Sequence, residues 1–320
     1  MRALASPASL KGVLGPIEAA AYLATGLRRT IDATEAPVAD GGEGTAAVLD
    51  AVLGGDWHEA DVSDAFGRPA RAQWLVLPDG TAVVDSAEAV GIAHLARAEL
   101  DPLRATSHGL GELLLAVLRE RPRALLVGVG GTATVDGGVG MRQVVGSALH
   151  DVPVRVACDV RNPLLGPRGA ARVFGPQKGA DPAAVELLEA RLASLHELAP
   201  YRDLRGAGAG GGLGAAFASL GAELCEGAEL VLDTIGFDAL ARDVQLVVTG
   251  EGTVDETTLE GKAPGAVARR CARLGVRCEL FGGLVRGGVP AHALSGNPDR
   301  AADDLVALGE RLGRVLLDSA

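Results

Sequence analysis

This 320-residue chain lacks most of the features that would place it outside the ordinary globular enzymes and binding proteins. Its four cysteines, Cys158, Cys225, Cys271 and Cys278, form no CxxC pair and fall far short of the density of a secreted disulfide scaffold, so reduced structural thiols are expected. Six scattered histidines without HxxxH spacing argue against a His/Cys metal centre. No window approaches the ~20 apolar residues of a spanning helix, and no apolar run follows a basic start as in a signal peptide; the expectation is a cytoplasmic protein that does not enter membranes. Basic residues are outnumbered, 30 against 41 acids, and the formal charge of -11 repels nucleic acid and anionic lipid. No basic patch reverses this, because Arg28-Arg29 and Arg269-Arg270 read as polar helix faces. The sequence does not indicate an oligomeric state.

With aromatics at 3% and 45 glycines, small residues do the packing. Ile17, Ala20, Ala21, Leu23, Ala24 and Leu27 recur near a period of 3.6 behind Pro16, which suits a first helical turn, so 16–30 is a helix. Apolar runs then alternate with helical stretches: strands near 73–77, 82–84, 124–129, 154–157, 245–249 and 277–281, and helices near 109–120, 182–198, 264–274 and 301–317. Strand followed by helix, repeated, predicts an α/β fold with a mainly parallel sheet, in which ligands gather beyond the strands' C-terminal ends. Length favours two domains. The expected arrangement is a discontinuous Rossmann- or flavodoxin-like domain, 1–55 with 205–320, an inserted mixed α/β domain, 56–204, and a ligand site in the cleft between them.

Five glycine-rich segments each carry a charged or amide residue: ADGGEGT (39–45), VGVGGTATVDGGVG (127–140), ACDVRNPLLG (157–166), ARVFGPQKGA (171–180) and TGEGTVDETTLEGKAP (249–264). Glycines at strand ends let main-chain N–H groups face an anion, so five such turns point to one composite site for a metal-bound polyphosphate. No GxxxxGK[ST] loop occurs, since Gly261-Lys262 is followed by Ala263, and no GxGxxG opens a helix after the first strand. The run 206–224 imitates that fingerprint; its glycines read as permitting helix packing or close ligand approach.

Together these segments resemble the type I glycerate kinases along nearly the whole chain. VADGGEGT stands at 38–45, GGTATVDGG at 130–138, VACDVRNPL at 156–164, FGPQKGA at 174–180, GAGAGGGLG at 206–214 and TGEGTVD at 249–255, with TSHGLGEL at 106–113 similar to the family's TSRGTGEL. The resemblance implies a kinase using ATP and Mg²⁺ to phosphorylate the 2-hydroxyl of D-glycerate, a small hydroxy acid, to 2-phosphoglycerate. By carboxylate chemistry Glu251 and Asp255, or Asp40 and Glu43, suit magnesium. Lys178 and Lys262 beside glycine suit phosphate oxygens, Lys11 keeps the family's position, and Arg172 can fork onto an anion. Asp159 or Asp136 can take the hydroxyl's proton. Gly41, Gly42, Gly130, Gly131 and Asn162 complete the expected binding set.

The chain also departs from the family pattern. Ala8 stands where the family has Asp, His108 and Thr253 where it has Arg, and Val135 where it has Asn; a connecting stretch after Gly146 and part of 285–298 are missing. Two alternatives follow from these changes: a non-catalytic homologue that binds an organic acid or nucleotide, and a kinase for another hydroxy acid.

Overall fold

The computed structural model describes residues 1–319, the side chains of 260 and 261 excepted. Among these residues eleven strands alternate with helices: β1 Arg2–Ala5, β2 Asp32–Glu35, β3 Asp56–Ser63, β4 Pro69–Val76, β5 Thr81–Asp85, β6 Ala124–Gly128, β7 Val154–Cys158, β8 Glu223–Glu226, β9 Leu246–Val254, β10 Arg277–Val285 and β11 His292–Ala293. They form two sheets, one per compact unit, and the fold is α/β as the strand–helix alternation predicts.

The first unit comprises residues 1–40, 47–53 and 228 onward. Its sheet, ordered β11-β10-β9-β1-β2, is parallel throughout. The helix Pro16–Leu27 begins on proline and buries Ala19, Ala20, Leu23, Ala24 and Leu27, as its 3.6-residue period requires. It packs against the helix Ala301–Asp318, which buries Leu305, Leu308, Leu312 and Leu316. Gly26 lets the two backbones meet, since a Cβ there would overlap the Val306 carbonyl. Arg270 corrects the reading of 269–270 as a polar face: it is only 7% exposed, and its guanidinium meets Glu229, Asp233 at 2.6 Å and Asp238 at 3.3 Å. Three acids offset the desolvation of one buried cation, which a lone surface pair would not do.

The second unit comprises 41–46 and 54–227. Its sheet runs β3-β4-β5-β6-β7-β8, antiparallel among the first three strands and parallel from β5 onward. Val84, Leu125, Val127 and Val156 from the sheet meet Leu110, Leu113, Leu114 and Phe217 from the helices in one core. Burying each such side chain contributes about 1.5–3 kcal/mol. Residues 206–227 belong here, whereas the sequence reading drew a border near 205; β8 pairs in parallel with β7, and the glycine stretch before it packs on this unit. The four cysteines carry thiols rather than disulfides, and burial pushes that of Cys158 up to about 12.

Candidate functional site

In the second unit, the C-terminal ends of β5 to β8 converge on the turn 41–45, which opens the helix Thr45–Leu53. The turn lies directly on the strand ends. A Cβ on Gly130 would sit 2.8 Å from the Gly42 Cα, one on Gly131 2.9 Å from the Glu43 carboxylate, and one on Gly41 2.8 Å from the Gly227 Cα. These glycines are therefore contact surfaces between two turns, a role their position in the sequence does not reveal.

A residue absent from the sequence-based set controls this turn. Asp85, the last residue of β5, is 4% exposed, and its Oδ2 accepts from the Gly44 amide at 3.0 Å and the Ala46 amide at 3.2 Å. The chain's own carboxylate thus occupies two amides at the start of this helix, those of Gly44 and Ala46. Burial pushes the Asp85 carboxyl up to about 7, against the pull of those two amides and with help from the Glu88 and Glu43 charges. The signal in the sequence was an acid closing the buried run Thr81–Val84, a position that a half-apolar strand seldom gives to a carboxylate.

Asp136, one of the two proton-acceptor candidates, is engaged four times over. Its Oδ2 takes the Ser107 amide at 2.9 Å, the Ser107 hydroxyl at 2.7 Å and the Gly140 amide at 3.2 Å, and its Oδ1 takes the Gly138 amide at 3.0 Å. This carboxylate ties the loop 130–140 to the start of the helix His108–Arg119. Lys178 lies within the same loop, 4% exposed, donating to Thr134 O at 2.7 Å and Thr132 Oγ1 at 3.2 Å. Desolvation brings its amine down to about 7, against the attraction of Asp136. The loop rests on Gly210, Gly211 and Gly212, consecutive left-handed residues with φ of +60°, +74° and +100°, and Gly211 O accepts from Gly137 N at 3.1 Å. The run 206–224 thus contains a backbone buttress, and packing explains its glycines. Val135 is buried with Leu164, Leu188 and Leu192, so it fills a core and does not alter the polarity of a pocket.

Asp159, the other candidate, is exposed directly beyond β7. Asn162 braces the following loop by donating to Arg168 O at 2.7 Å, while its own carbonyl takes the Gly208 amide at 2.9 Å. Arg172 forks onto Glu186 at 2.6 and 2.9 Å, a surface ion pair between neighbouring helices. His108 is half-exposed, 3.4 Å from Glu112 on its own helix.

In the first unit the segment TGEGTV is strand, not turn: β9 continues through Gly250, Glu251, Gly252 and Thr253 to Val254. Gly250 is needed because a Cβ there would lie 2.6 Å from the Phe281 ring, and a Cβ on Gly252 would press on Leu10 and Lys11 at 3.3–3.4 Å. The reading of 249–255 as an open anion-facing turn is corrected accordingly. The polar groups lie together all the same. Glu251 Oε1 accepts from Thr258 Oγ1 at 2.6 Å and Lys262 Nζ at 3.2 Å, Lys11 is exposed beside Gly252, and Asp255 caps the helix Glu256–Gly261 through the Thr257 amide at 2.9 Å. Its bonds to Thr257, with Lys262 near, hold the Asp255 carboxyl below the usual range. Asp40 ends this unit's first segment, half-buried. No group of three or more His, Cys, Asp or Glu gathers for a metal among the described residues. Magnesium on a nucleotide asks for only one or two carboxylates besides phosphate oxygens and water, which Glu251 and Asp255 fit. Among the described residues no helix is long and apolar enough to cross a membrane.

The profile of the glycerate kinase family matches residues 3–152 and 145–297. The chain is 36% identical to the glycerate kinase of Bacillus subtilis over 310 residues, covering 84% of this chain and 81% of that one. It is 37% identical to the glycerate 2-kinase of Escherichia coli over 309 residues, with the same shares covered. A crystal structure of a protein described as a candidate glycerate kinase 2 from Salmonella typhimurium LT2 superposes with a TM-score of 0.85 at 31% identity, covering 100% of this chain and 99% of that one.

Proposed function

The chain belongs to the glycerate kinase family, and on that premise we propose that it transfers the γ-phosphoryl group of ATP to the 2-hydroxyl of D-glycerate, giving 2-phosphoglycerate. The observation that carries the assignment of roles is the position of Asp159, exposed directly beyond the C-terminal end of β7. Asp136 is held by the Ser107, Gly138 and Gly140 donors at the foot of its loop, and Asp159 stands at the solvent-facing end of β7, the position where parallel sheets present ligands. Asp159 takes the proton of the 2-hydroxyl as its oxygen bonds to the γ-phosphorus and the bond to the β-phosphate oxygen breaks, releasing ADP. Phosphoryl transfer asks the protein chiefly for positioning and charge compensation. Lys262 and Lys11 are the cations available to phosphate oxygens, and Glu251 and Asp255 are the carboxylates that would hold magnesium, whose charge would offset that of the phosphates. Lys178 acts from inside the loop 130–140 and does not touch the substrate.

The test is ADP release from Mg-ATP with D-glycerate, beside an acceptor-free blank and Asp159→Asn, with the phosphorylated carbon identified by phosphorus NMR. Acceptor-dependent release that falls at least ~100-fold in Asp159→Asn is expected for loss of a general base. Folded protein that releases no ADP in response to D-glycerate would overturn the reading and favour the alternative of a homologue that binds without turnover. A phosphate on the terminal carbon would correct the product alone.

A further inference from the structure

Asp85 has no place in the reaction as drawn above, yet the structure commits unusual resources to it. One oxygen fills the amide site at the start of the helix Thr45–Leu53, while the other, Oδ1, is buried without a protein partner, as is the hydroxyl of the adjacent Ser86. A buried carboxyl oxygen without a protein partner is destabilising, so stability alone does not account for an acid here. The surroundings are built to admit it: a Cβ on Gly128 would lie 3.0 Å from Asp85 Oδ1 and 2.8 Å from Gly41 O, so only glycine at 128 lets the carboxyl and the turn meet. The turn that Asp85 holds passes beside Ala157, two residues before Asp159.

Resting on the kinase reading, we propose that Asp85 is a positioning residue: seated beneath the turn 41–45, it fixes Gly41, Gly42 and Glu43 over the ends of β6 and β7 and thereby sets the acceptor geometry around Asp159. Its influence is exerted through the two amides it holds and requires no contact with substrate. Asp85→Ala leaves those amides empty, whereas Asp85→Asn keeps an oxygen that can accept from both.

The experiment compares wild type, Asp85→Ala and Asp85→Asn by steady-state kinetics with D-glycerate and Mg-ATP, after circular dichroism has shown that each is folded. For Asp85→Ala the expectation is a kcat about 100-fold lower with KM for ATP within about threefold, since a misplaced acceptor costs rate and not nucleotide affinity. Asp85→Asn is expected to recover kcat to within about fivefold, because it restores the acceptor. A residue that only stabilised the fold would lower the denaturation midpoint and leave kcat per folded molecule unchanged; that result overturns the proposal. If Asp85→Ala does not fold, Asp85→Ser, which keeps a small polar group too short for both amides, carries the same expectation. Failure of both to fold makes Asp85 a folding residue and also overturns the proposal. Wild type without turnover sinks the kinase reading and this proposal with it, whereas active wild type with an equally active Asp85→Ala sinks the proposal alone.

Discussion

Lys178→Met should change the dependence of stability on pH more than stability itself. The amine's ordinary value of 10.5 is brought to about 7 in the folded chain, chiefly by burial. Below pH 7 lysine is charged in both the folded and unfolded states, and the folded state bears the full cost of the buried ammonium. As pH rises from 7 toward 10.5 the folded form is already neutral while the unfolded form still binds a proton, so the cost is progressively relieved and stability rises. With those two values, the gain between pH 7 and pH 9 is about 2 kcal/mol, and the full span would be about 5 kcal/mol. Methionine matches the length of the side chain without titrating, but it leaves Thr134 O and Thr132 Oγ1 without their donor. Guanidinium unfolding followed by tryptophan fluorescence is a suitable assay, because both tryptophans, Trp57 and Trp74, lie on β3 and β4 in the unit that contains Lys178. Subtracting the variant's profile removes the other groups that titrate in this range. Wild type should gain about 2 kcal/mol over Lys178→Met from pH 7 to pH 9. A flat difference would mean that the amine keeps its proton and that the cost of burial has been overstated.

Gly211→Ala should lower unfolding stability by about 2–4 kcal/mol, since alanine is strained at φ +74° and its Cβ would overlap the Thr134 carbonyl; a midpoint unchanged in guanidinium would show that the 130–137 loop can shift freely. Arg172→Ala should leave the guanidinium midpoint and both KM values essentially unchanged, as expected for an exposed ion pair. A tenfold rise in either KM would show that Arg172 leaves Glu186 to meet substrate.

What the sequence shows of this fold is whatever repeats along it. The period of 3.6 at Pro16–Leu27 and the apolar runs at Ala124–Gly128 and Val154–Cys158 each reflect one face turned to a core, so helix, strand and parallel arrangement were legible. The antiparallel pair β3 and β4 was harder to see, because half of β3 is exposed and those positions include Asp56, Glu59 and Asp61. Glycine was the most ambiguous letter. In 249–255 it lets Phe281 and Lys11 approach a continuing strand, and in 210–212 it builds a left-handed buttress, yet both runs resemble ligand turns. Charge was ambiguous for the same reason: Lys178 and Asp136 both serve the loop 130–140, Arg172 satisfies Glu186, and only coordinates show which partners are already taken. Asp85 lay outside every motif because its partners, Gly44 and Ala46, are some forty residues away.

The order of strands in the first sheet also sets a timetable for the newborn chain. β1 lies between β2 and β9, so one side of it stays open until residue 246 has been added. At about 5–20 residues per second, that wait is roughly 10–50 s. Throughout it a short apolar strand, Ala3, Leu4 and Ala5, has an unpaired edge, and the buried face of Pro16–Leu27 lacks the helix 301–318 that will cover it. Most of the second unit's residues have emerged by 227, before this sheet can close. The ribosome therefore delivers the enclosed unit ahead of the one that encloses it in sequence.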